Sequence, residues 1–532
     1  MKKWGILVVL ATAQFLMVLD QAVMNVAISQ LVADFDTTVT TIQAVIALYA
    51  LVMAALMLTG GKIGDIIGRR RAFSIGIVVY GAGSALTAAS WSVGSLVLGW
   101  SVLEGVGAAL VLPALVALVA GSYEGRERAL AYGVLGGVAG AGIAVGPILG
   151  GWVTTDFSWR YVFVGEVVVS IGILLGTRTI RDAVAPARAA LDWVGGVLSA
   201  AGLALIVFAV LQASNWGWLA PRSSPVTIFG FSLTPFVIAA GAAVLAAFVA
   251  WERRRVEQGL EPLVHLKLLR VSALRGGVSM LLAQNLVLMG IFFTIPLYLQ
   301  IVQGLDALET GVRMLPTSVG LFASAVAGSA LATRFPPRAL VRAGLGLVFL
   351  ATLGLLGTIE PELDNVPFLI AMGFLGVGMG LVVSQLGNVV QSSVSDSERS
   401  EAGGLQNTAQ QLGSSLGTAL LGAIVITGLL TAFGSNVASD QRISDRVEEA
   451  VQVQLSAGGS FVSASEVGDA AAAARVPPRQ AEAIVSNYED AQLQALKLAF
   501  LAAAILALGS FWFTRRLPVR RFDEIAAAAP PP

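Results

Sequence analysis

The chain has 532 residues; 56% are hydrophobic, only 12% are charged, and 33 basic residues balance 33 acidic ones. A soluble domain carries roughly 25% charged residues. Half that share, with a mean hydropathy of +0.80, excludes a disordered chain, a nucleic-acid binder driven by net charge and an ordinary soluble enzyme. The absence of cysteine removes disulfides and thiolate sites, and the single histidine, His265, cannot build a His-based centre, so no metal is expected. A polytopic, all-α membrane protein remains.

A membrane-crossing helix needs about 20 mainly apolar residues. The first such run, 5–28, follows Met1-Lys2-Lys3 directly. It is too long for a signal-peptide core and reads as the first span. Thirteen more follow at 41–60, 72–90, 94–119, 129–153, 160–177, 192–212, 233–251, 275–301, 308–332, 341–358, 366–390, 404–433 and 493–514, giving an expectation of 14 transmembrane helices. Lys and Arg fix the orientation. With the N-terminus in the cytoplasm, 25 of the 33 basic residues fall in inside loops and termini. An even number of spans returns the C-terminus to the same side. Residues 252–273 form a charged inside connector. Residues 434–492 form a long outside loop with nine acids and four bases, helix-like over 441–455 and 479–496. Its plainest reading is a solvated insertion.

Three acids lie within predicted spans: Asp20 in the first, Glu104 in the fourth and Glu166 in the sixth. Each costs about 2.5–3.5 kcal/mol on insertion scales, so each is a candidate functional group. Counted along straight helices, Asp20 lies about 22 Å from the inner end of its span, Glu104 roughly 15 Å and Glu166 roughly 9 Å below the outer surface. No Lys or Arg lies deep in a span to pair with them. Such a carboxyl group can take and release a proton, or attract a cation into an apolar cavity. The alternative for each is a neutral, hydrogen-bonded acid locking two helices together.

The loop after the second span reads Gly61-Lys62-Ile63-Gly64-Asp65-Ile66-Ile67-Gly68-Arg69-Arg70-Arg71. Its glycines permit a tight turn, and Asp65 is placed to accept hydrogen bonds from arginines or a helix N-terminus. The fifth span carries Gly133, Gly136, Gly137, Gly140, Gly142, Gly146, Pro147, Gly150 and Gly151. Small residues let helix backbones meet closely in lipid, and Pro147 permits a kink.

Together these segments resemble the fourteen-helix drug:proton antiporter branch of the major facilitator superfamily. Gly61, Asp65, Gly68, Arg69 and Arg70 match the signature loop between spans two and three. Gly142, Gly146, Pro147, Gly150 and Gly151 match the antiporter motif of span five. Leu19-Asp20-Gln21-Ala22-Val23-Met24-Asn25-Val26-Ala27 matches the first-span motif, with Ala22 where threonine is usual. Trp159-Arg160, Pro296-Leu297-Tyr298-Leu299-Gln300 and Gly404-Leu405-Gln406-Asn407 extend the match over nearly the whole chain except 434–492.

The resemblance implies two six-helix lobes with two linker spans between them. The expected division is an N-lobe over 1–178, linker spans and connector over 179–273, C-lobe spans over 274–433, the loop 434–492, and the last span and inside tail over 493–532. It further implies proton-driven export by alternating access, with Asp20, Glu104 and Glu166 for proton coupling or cation binding and the Asp65 loop as a cytoplasmic latch. Two departures stand out. The fourth-span Arg-x-x-Gln-Gly motif reads Ser101-Val102-Leu103-Glu104-Gly105, so a cation is lost. Glu166 and Val168 align where asparagine and proline are common. Asn25, Gln284, Asn285, Phe292, Phe293, Asn407 and Gln411 are candidate substrate contacts, each also explicable as helix packing.

The expectation is therefore a monomeric exporter of hydrophobic or cationic compounds in a bacterial cytoplasmic membrane. Protons serve as coupling ion, lipids surround the chain, and no cofactor or nucleic acid takes part. A lipid exporter on the same fold and a non-transporting receptor using 434–492 are the alternatives. No nucleophile–base pair or phosphate loop points to an enzyme.

Overall fold

The computed structural model describes residues 2–123, 125–180, 191–394, 398–456 and 461–520. Expectations for the tail beyond residue 520 lie outside the described residues. In chain order the helices are α1 (Lys2–Val26), α2 (Ile28–Asp34), α3 (Val39–Ile67), α4 (Arg69–Ala88), α5 (Val93–Leu96), α6 (Gly105–Ser122), α7 (Gly125–Asp156), α8 (Arg160–Gly176), α9 (Trp193–Trp216), α10 (Thr234–Glu257), α11 (Ser272–Pro296), α12 (Ala307–Leu331), α13 (Pro337–Gly357), α14 (Asn365–Ser392), α15 (Arg399–Ser439), α16 (Asp445–Ser456), α17 (Ala464–Ala473) and α18 (Pro478–Ser510). No extended strand occurs among the described residues.

Helix ends follow local chemistry. The Thr38 side chain accepts from the Thr41 amide and starts α3. Gly68, at φ +99°, closes α3 and opens α4; a side chain there would be strained. Asp192 and Asp364 cap α9 and α14, and Asp306 with Glu309 forms a capping box on α12.

Among the described residues, thirteen helices are long and apolar enough to cross a membrane. The expected span 308–332 folds as the 25-residue α12, packed on α7 and α14, but is not among those thirteen, so thirteen of the fourteen expected spans pass that measure among the described residues. Two expectations change. The segment 404–433 is part of α15, which runs for 41 residues. The expected loop helix 479–496 and the last span merge into α18, a single helix of 33 residues. No helix breaker lies between them, because the nearest prolines, Pro477 and Pro478, stand at the helix start. The insertion is held at its base by Asp440. Its carboxylate accepts from Asn487 Nδ2 at 2.7 Å and pairs with Arg442 at 2.7 Å. Those bonds hold its pKa well below the usual carboxylate range.

The first helices pack as α1 on α7, α3 and α4 on α6, and α4 on α8; the later ones as α11 on α15, α12 on α14 and α18 on α15. These two groups meet along two seams, α3 with α15 and α7 with α12. The linker helix α9 lies against both α3 and α15, with Leu203 and Val207 packed on Leu51 and Leu412, and α10 packs on α9.

The ends of the bundle are designated by Asp34 and Asp65. At the Asp34 end the groups are joined by hydrogen bonds between side chains and backbone. Gln300 Nε2 donates to Val26 O at 2.9 Å, Ser29 N donates to Gln300 Oε1 at 3.3 Å, and Leu308 N donates to Thr155 Oγ1 at 3.1 Å. Along the second seam α7 touches α12 from Gly151 down to Gly140, which faces Phe322. Below that, at Gly137, Gly136 and Gly133, a side chain would meet nothing within 4 Å. This seam opens toward the Asp65 end.

Candidate functional site

Between Leu96 and Gly105 the fourth span leaves α-helical geometry. Val97–Glu104 is a π-helix that joins α5 to α6. Such a wide turn is rare and commonly marks a functional site. It carries Trp100, 1% exposed, and Glu104, fully buried, on the side facing α1, α3 and α4. Close packing requires glycine here. A Cβ on Gly83 of α4 would lie 2.7 Å from Glu104 Cγ, and one on Gly99 2.6 Å from Thr87 Oγ1.

The three membrane acids meet at this point. Asp20 from α1, Glu104 from the π segment and Glu166 from α8 each bring a carboxylate oxygen within 4.8 Å of the others. All three are buried. Straight-helix counting places Glu104 and Glu166 at different depths, yet their carboxylates meet at this point. At an effective dielectric near 20, two unit charges at this separation repel by about 3–4 kcal/mol. Full ionisation of the three is therefore strongly disfavoured without a cation among them.

Neutral donors surround the carboxyls. Trp100 Nε1 donates to Asp20 Oδ1 at 2.8 Å. Tyr80 Oη at 3.2 Å and Ser84 Oγ at 3.0 Å reach Glu166 Oε2. Thr87 Oγ1 lies 3.1 Å from Glu104 Oε1. The Tyr49 ring stacks on Trp100 with centroids 4.6 Å apart. Each acid keeps one oxygen without a partner: Asp20 Oδ2, Glu104 Oε2 and Glu166 Oε1. No ion pair to Lys, Arg or His involves any of the three acids among the described residues. The sequence reading found the acids but missed Tyr49, Tyr80, Ser84, Thr87 and Trp100. Tyr80, Ser84 and Thr87 do follow a helical spacing that places them on one face of α4.

The glycine motif of α7 serves two partners. Gly142, Gly146 and Gly150, one turn apart, admit Val18, Ala22 and Val23 of α1. Gly151 and Pro147 face α12, where a Cβ on Gly151 would overlap Ala307 O and one on Gly311 would overlap Pro147 O. Ser318 Oγ of α12 also donates to Ile143 O at 3.1 Å. One side of α7 thus carries the acid-bearing α1, and the other meets the second helix group.

At the Asp65 end, Arg69 Nη2 lies 3.4 Å from Asp65 Oδ1, and Arg69 Nη1 donates to Ala117 O of α6 at 3.3 Å. Gly61 approaches Pro113, and Arg70 is half-buried on the same turn as Arg69. These contacts stay inside the first helix group. Lys62 leaves it, pairing with Glu261 of the connector at 2.8 Å. The connector in turn holds α15 through His265 Nδ1 and Glu401 Oε2 at 2.9 Å.

The candidate substrate contacts scatter. Gln411 joins the two groups, accepting from Gln21 Nε2 at 3.5 Å and donating to Met53 Sδ at 3.0 Å. Asn25 is buried and donates to Gln21 O; Asn285 is half-buried and donates to Leu281 O. Gln284 is buried with Oε1 unpartnered, Asn407 is half-buried, and Phe292 and Phe293 sit in the core. A cavity of about 490 Å³ opens elsewhere, at the Asp34 end between α9, α15 and α16, beside Arg222, Thr431 and Gln452.

Two groups of spans meeting along two seams, one of them opening toward one end, with acids buried within the bundle, define a membrane transporter. The chain belongs to the Major Facilitator Superfamily, whose family model matches residues 10–418. It is 34% identical over 439 residues to the puromycin resistance protein of Streptomyces alboniger, covering 81% of this chain and 83% of that protein. It is 29% identical over 510 residues to the multidrug efflux pump LfrA of Mycolicibacterium smegmatis, covering 95% and 96%. Among solved structures, a bacterial homologue of the human lysosomal transporter Spinster, inward-facing and unoccupied, superposes with a TM-score of 0.59 at 14% identity over 97% of this chain and 98% of that one. A D-xylose–proton symporter gives 0.56 at 14% identity, covering 86% and 98%.

Proposed function

We propose that this transporter exports hydrophobic, cationic compounds across a bacterial cytoplasmic membrane in exchange for protons. The observation that carries the reading is the buried Asp20–Glu104–Glu166 cluster, which has neutral donors and no cationic partner. Such a group binds a proton in one state and, once ionised, favours a cationic substrate in the other. A ligand shifts a two-state equilibrium only through different affinity for the two states, and these acids supply that difference. Relatives named for puromycin resistance and multidrug efflux support the substrate class.

With the Asp65 end in the cytoplasm, the open α7–α12 seam corresponds to access from inside. Substrate enters there and favours ionised Asp20. After the bundle reopens at the Asp34 end, protons from outside neutralise the cluster and release the substrate. Pro147 and the glycines of α7 provide the moving contact, and Lys62, Asp65 and Arg69 brace the cytoplasmic end.

The test is uptake of ethidium into inside-out proteoliposomes under imposed pH gradients. The parent is expected to respond to the gradient and Asp20→Asn to lose the response while remaining folded. A parent that transports ethidium without regard to the gradient would overturn proton exchange. A parent that moves fluorescent phospholipid but no ethidium would favour the lipid-exporting alternative.

A further inference from the structure

We propose that Glu252 and Asp192 share one proton and that this carboxyl pair fastens the connector as a strap across the α3–α15 seam, so that the strap loosens when the proton is lost. The proposal does not depend on which ion drives transport.

The connector grips both helices of that seam. Its Leu263 and Val264 pack with Phe248 of α10 against Leu198 of α9, Leu58 of α3 and Leu405 of α15. On one side Lys62 of α3 pairs with Glu261 at 2.8 Å. On the other, Glu401 of α15 accepts from the His265 amide and meets the ring Nδ1 at 2.9 Å. Lys267 reaches Glu398, just before α15, at 3.3 Å.

Glu252 ties this segment to the linker helices. It is fully buried, and its Oε2 accepts from the Leu263 amide at 2.8 Å and the Val264 amide at 3.2 Å. Its Oε1 has no N–H or hydroxyl partner. That oxygen faces Asp192 instead. A Cβ on Gly195 would touch both Glu252 Oε1 and Asp192 Oδ2, and the two carboxyls are within hydrogen-bond reach. Two carboxylate oxygens with no hydrogen between them repel, and one proton turns the contact into a hydrogen bond.

Asp192 is the partner suited to the negative charge. It caps α9 through the Gly195 amide at 3.0 Å, accepts from Trp251 Nε1 at 3.1 Å and pairs with Arg255 Nε at 3.3 Å. The proton therefore sits on Glu252 Oε1 and is donated to Asp192.

Among the described residues, the charged or titratable groups around the pair are Arg255 on α10, Glu261, His265 and Lys267 on the connector, Lys62 on α3, and Glu398 and Glu401 at α15. Each basic group in that set is engaged elsewhere: Arg255 by Asp192 and by Glu261 O at 2.9 Å, Lys62 by Glu261, His265 by Glu401 and Lys267 by Glu398. Loss of the shared proton would leave two buried anions side by side, where little water screens them. The strap is thus held while the proton is bound and released as pH rises.

The test measures maleimide labelling of Val264→Cys in the full chain in nanodiscs. Val264 is 2% exposed, and the chain has no other cysteine. Labelling of the exposed position Gln258→Cys corrects for the pH dependence of thiol reactivity. With Glu252 intact, the corrected rate is expected to be low in acid and to rise by about tenfold or more toward alkaline pH, the loss of a buried hydrogen bond. Glu252→Gln keeps an acceptor for the two amides and a neutral donor to Asp192, and is expected to hold the rate low throughout. Glu252→Ala is expected to raise it throughout. Infrared spectra give a second readout: the difference between parent and Glu252→Gln should show a protonated-carboxyl band that fades as pH rises. A corrected rate that ignores pH with Glu252 intact overturns the proposal, as does absence of that band. A pH response that survives in Glu252→Gln also overturns it and assigns the response to His265. If Glu252→Ala does not fold, the comparison of Glu252 with Glu252→Gln still decides.

Discussion

Trp100 and Asp20 are joined by an indole N–H···O bond of 2.8 Å, with Trp100 1% exposed and Asp20 fully buried. The bond ties the π segment of the fourth span to α1, which in turn rides on the glycine face of α7. A change at the acid therefore has a packed route to the helix that forms the opening seam.

Replacing Trp100 by phenylalanine tests that bond. Phe keeps a ring against Tyr49 and removes the donor. A hydrogen bond to a charged group contributes roughly 1.5–3 kcal/mol. Trp100→Phe is expected to reduce gradient-driven ethidium transport by about tenfold or more, with a circular dichroism spectrum like the parent's. Unchanged transport would remove Trp100 from the site.

The two ends of α7 should respond differently to an added methyl group. At Gly151 a Cβ overlaps the Ala307 carbonyl oxygen, whereas at Gly137 it meets nothing within 4 Å. Overpacking costs typically 1–3 kcal/mol. Gly151→Ala is expected to lower the unfolding temperature and to raise labelling of a cysteine placed at Thr155, because it pries the Asp34 end apart. Gly137→Ala should be neutral or slightly stabilising, since alanine is the better helix former by about 1 kcal/mol. The chain has no cysteine of its own, which makes the labelling unambiguous. Equal effects at the two sites would contradict a seam closed at one end only.

The Lys62–Glu261 pair at the Asp65 end carries a pH dependence of known sign. The Lys62 ammonium, 2.8 Å away, holds Glu261 below its ordinary value. A carboxylate whose folded pKa is depressed stabilises above its unfolded pKa and loses that contribution as pH falls through the folded one. The pair therefore acts at neutral pH and is lost in acid. It is exposed and screened by salt, so Glu261→Gln is expected to leave the unfolding temperature almost unchanged. Its effect should appear in transport rate at neutral pH and low salt, and shrink in high salt. A large change in thermal stability would show that the pair holds the fold rather than the conformational balance.

The positions of the acids were legible in the sequence because an ionisable residue inside a long apolar run stands out against its cost. Their convergence was not legible. Asp20, Glu104 and Glu166 are separated by scores of residues, and straight-helix counting set Glu104 and Glu166 at different depths. The π turn at Val97–Glu104 leaves no local signal, because its extra residue per turn is stabilised by packing against α3 and α4. Gln411 is legible as a polar residue in a span, whereas the candidate contacts Phe292 and Phe293 are core. Nothing in an apolar helix distinguishes a face turned to a partner from one turned to a cavity.

The sequence by itself determined that this chain is a multi-span helical transporter. Apolar run length, loop charge and ordered glycine motifs are local quantities that survive without a fold. The tertiary structure decided which residues form the site. Hydrogen-bond partners for Asp20, Glu104 and Glu166, the two-sided use of the α7 glycines and the opening of one seam all depend on helix packing. Those relations arise from van der Waals contact and donor geometry between helices distant in sequence, which no local pattern encodes.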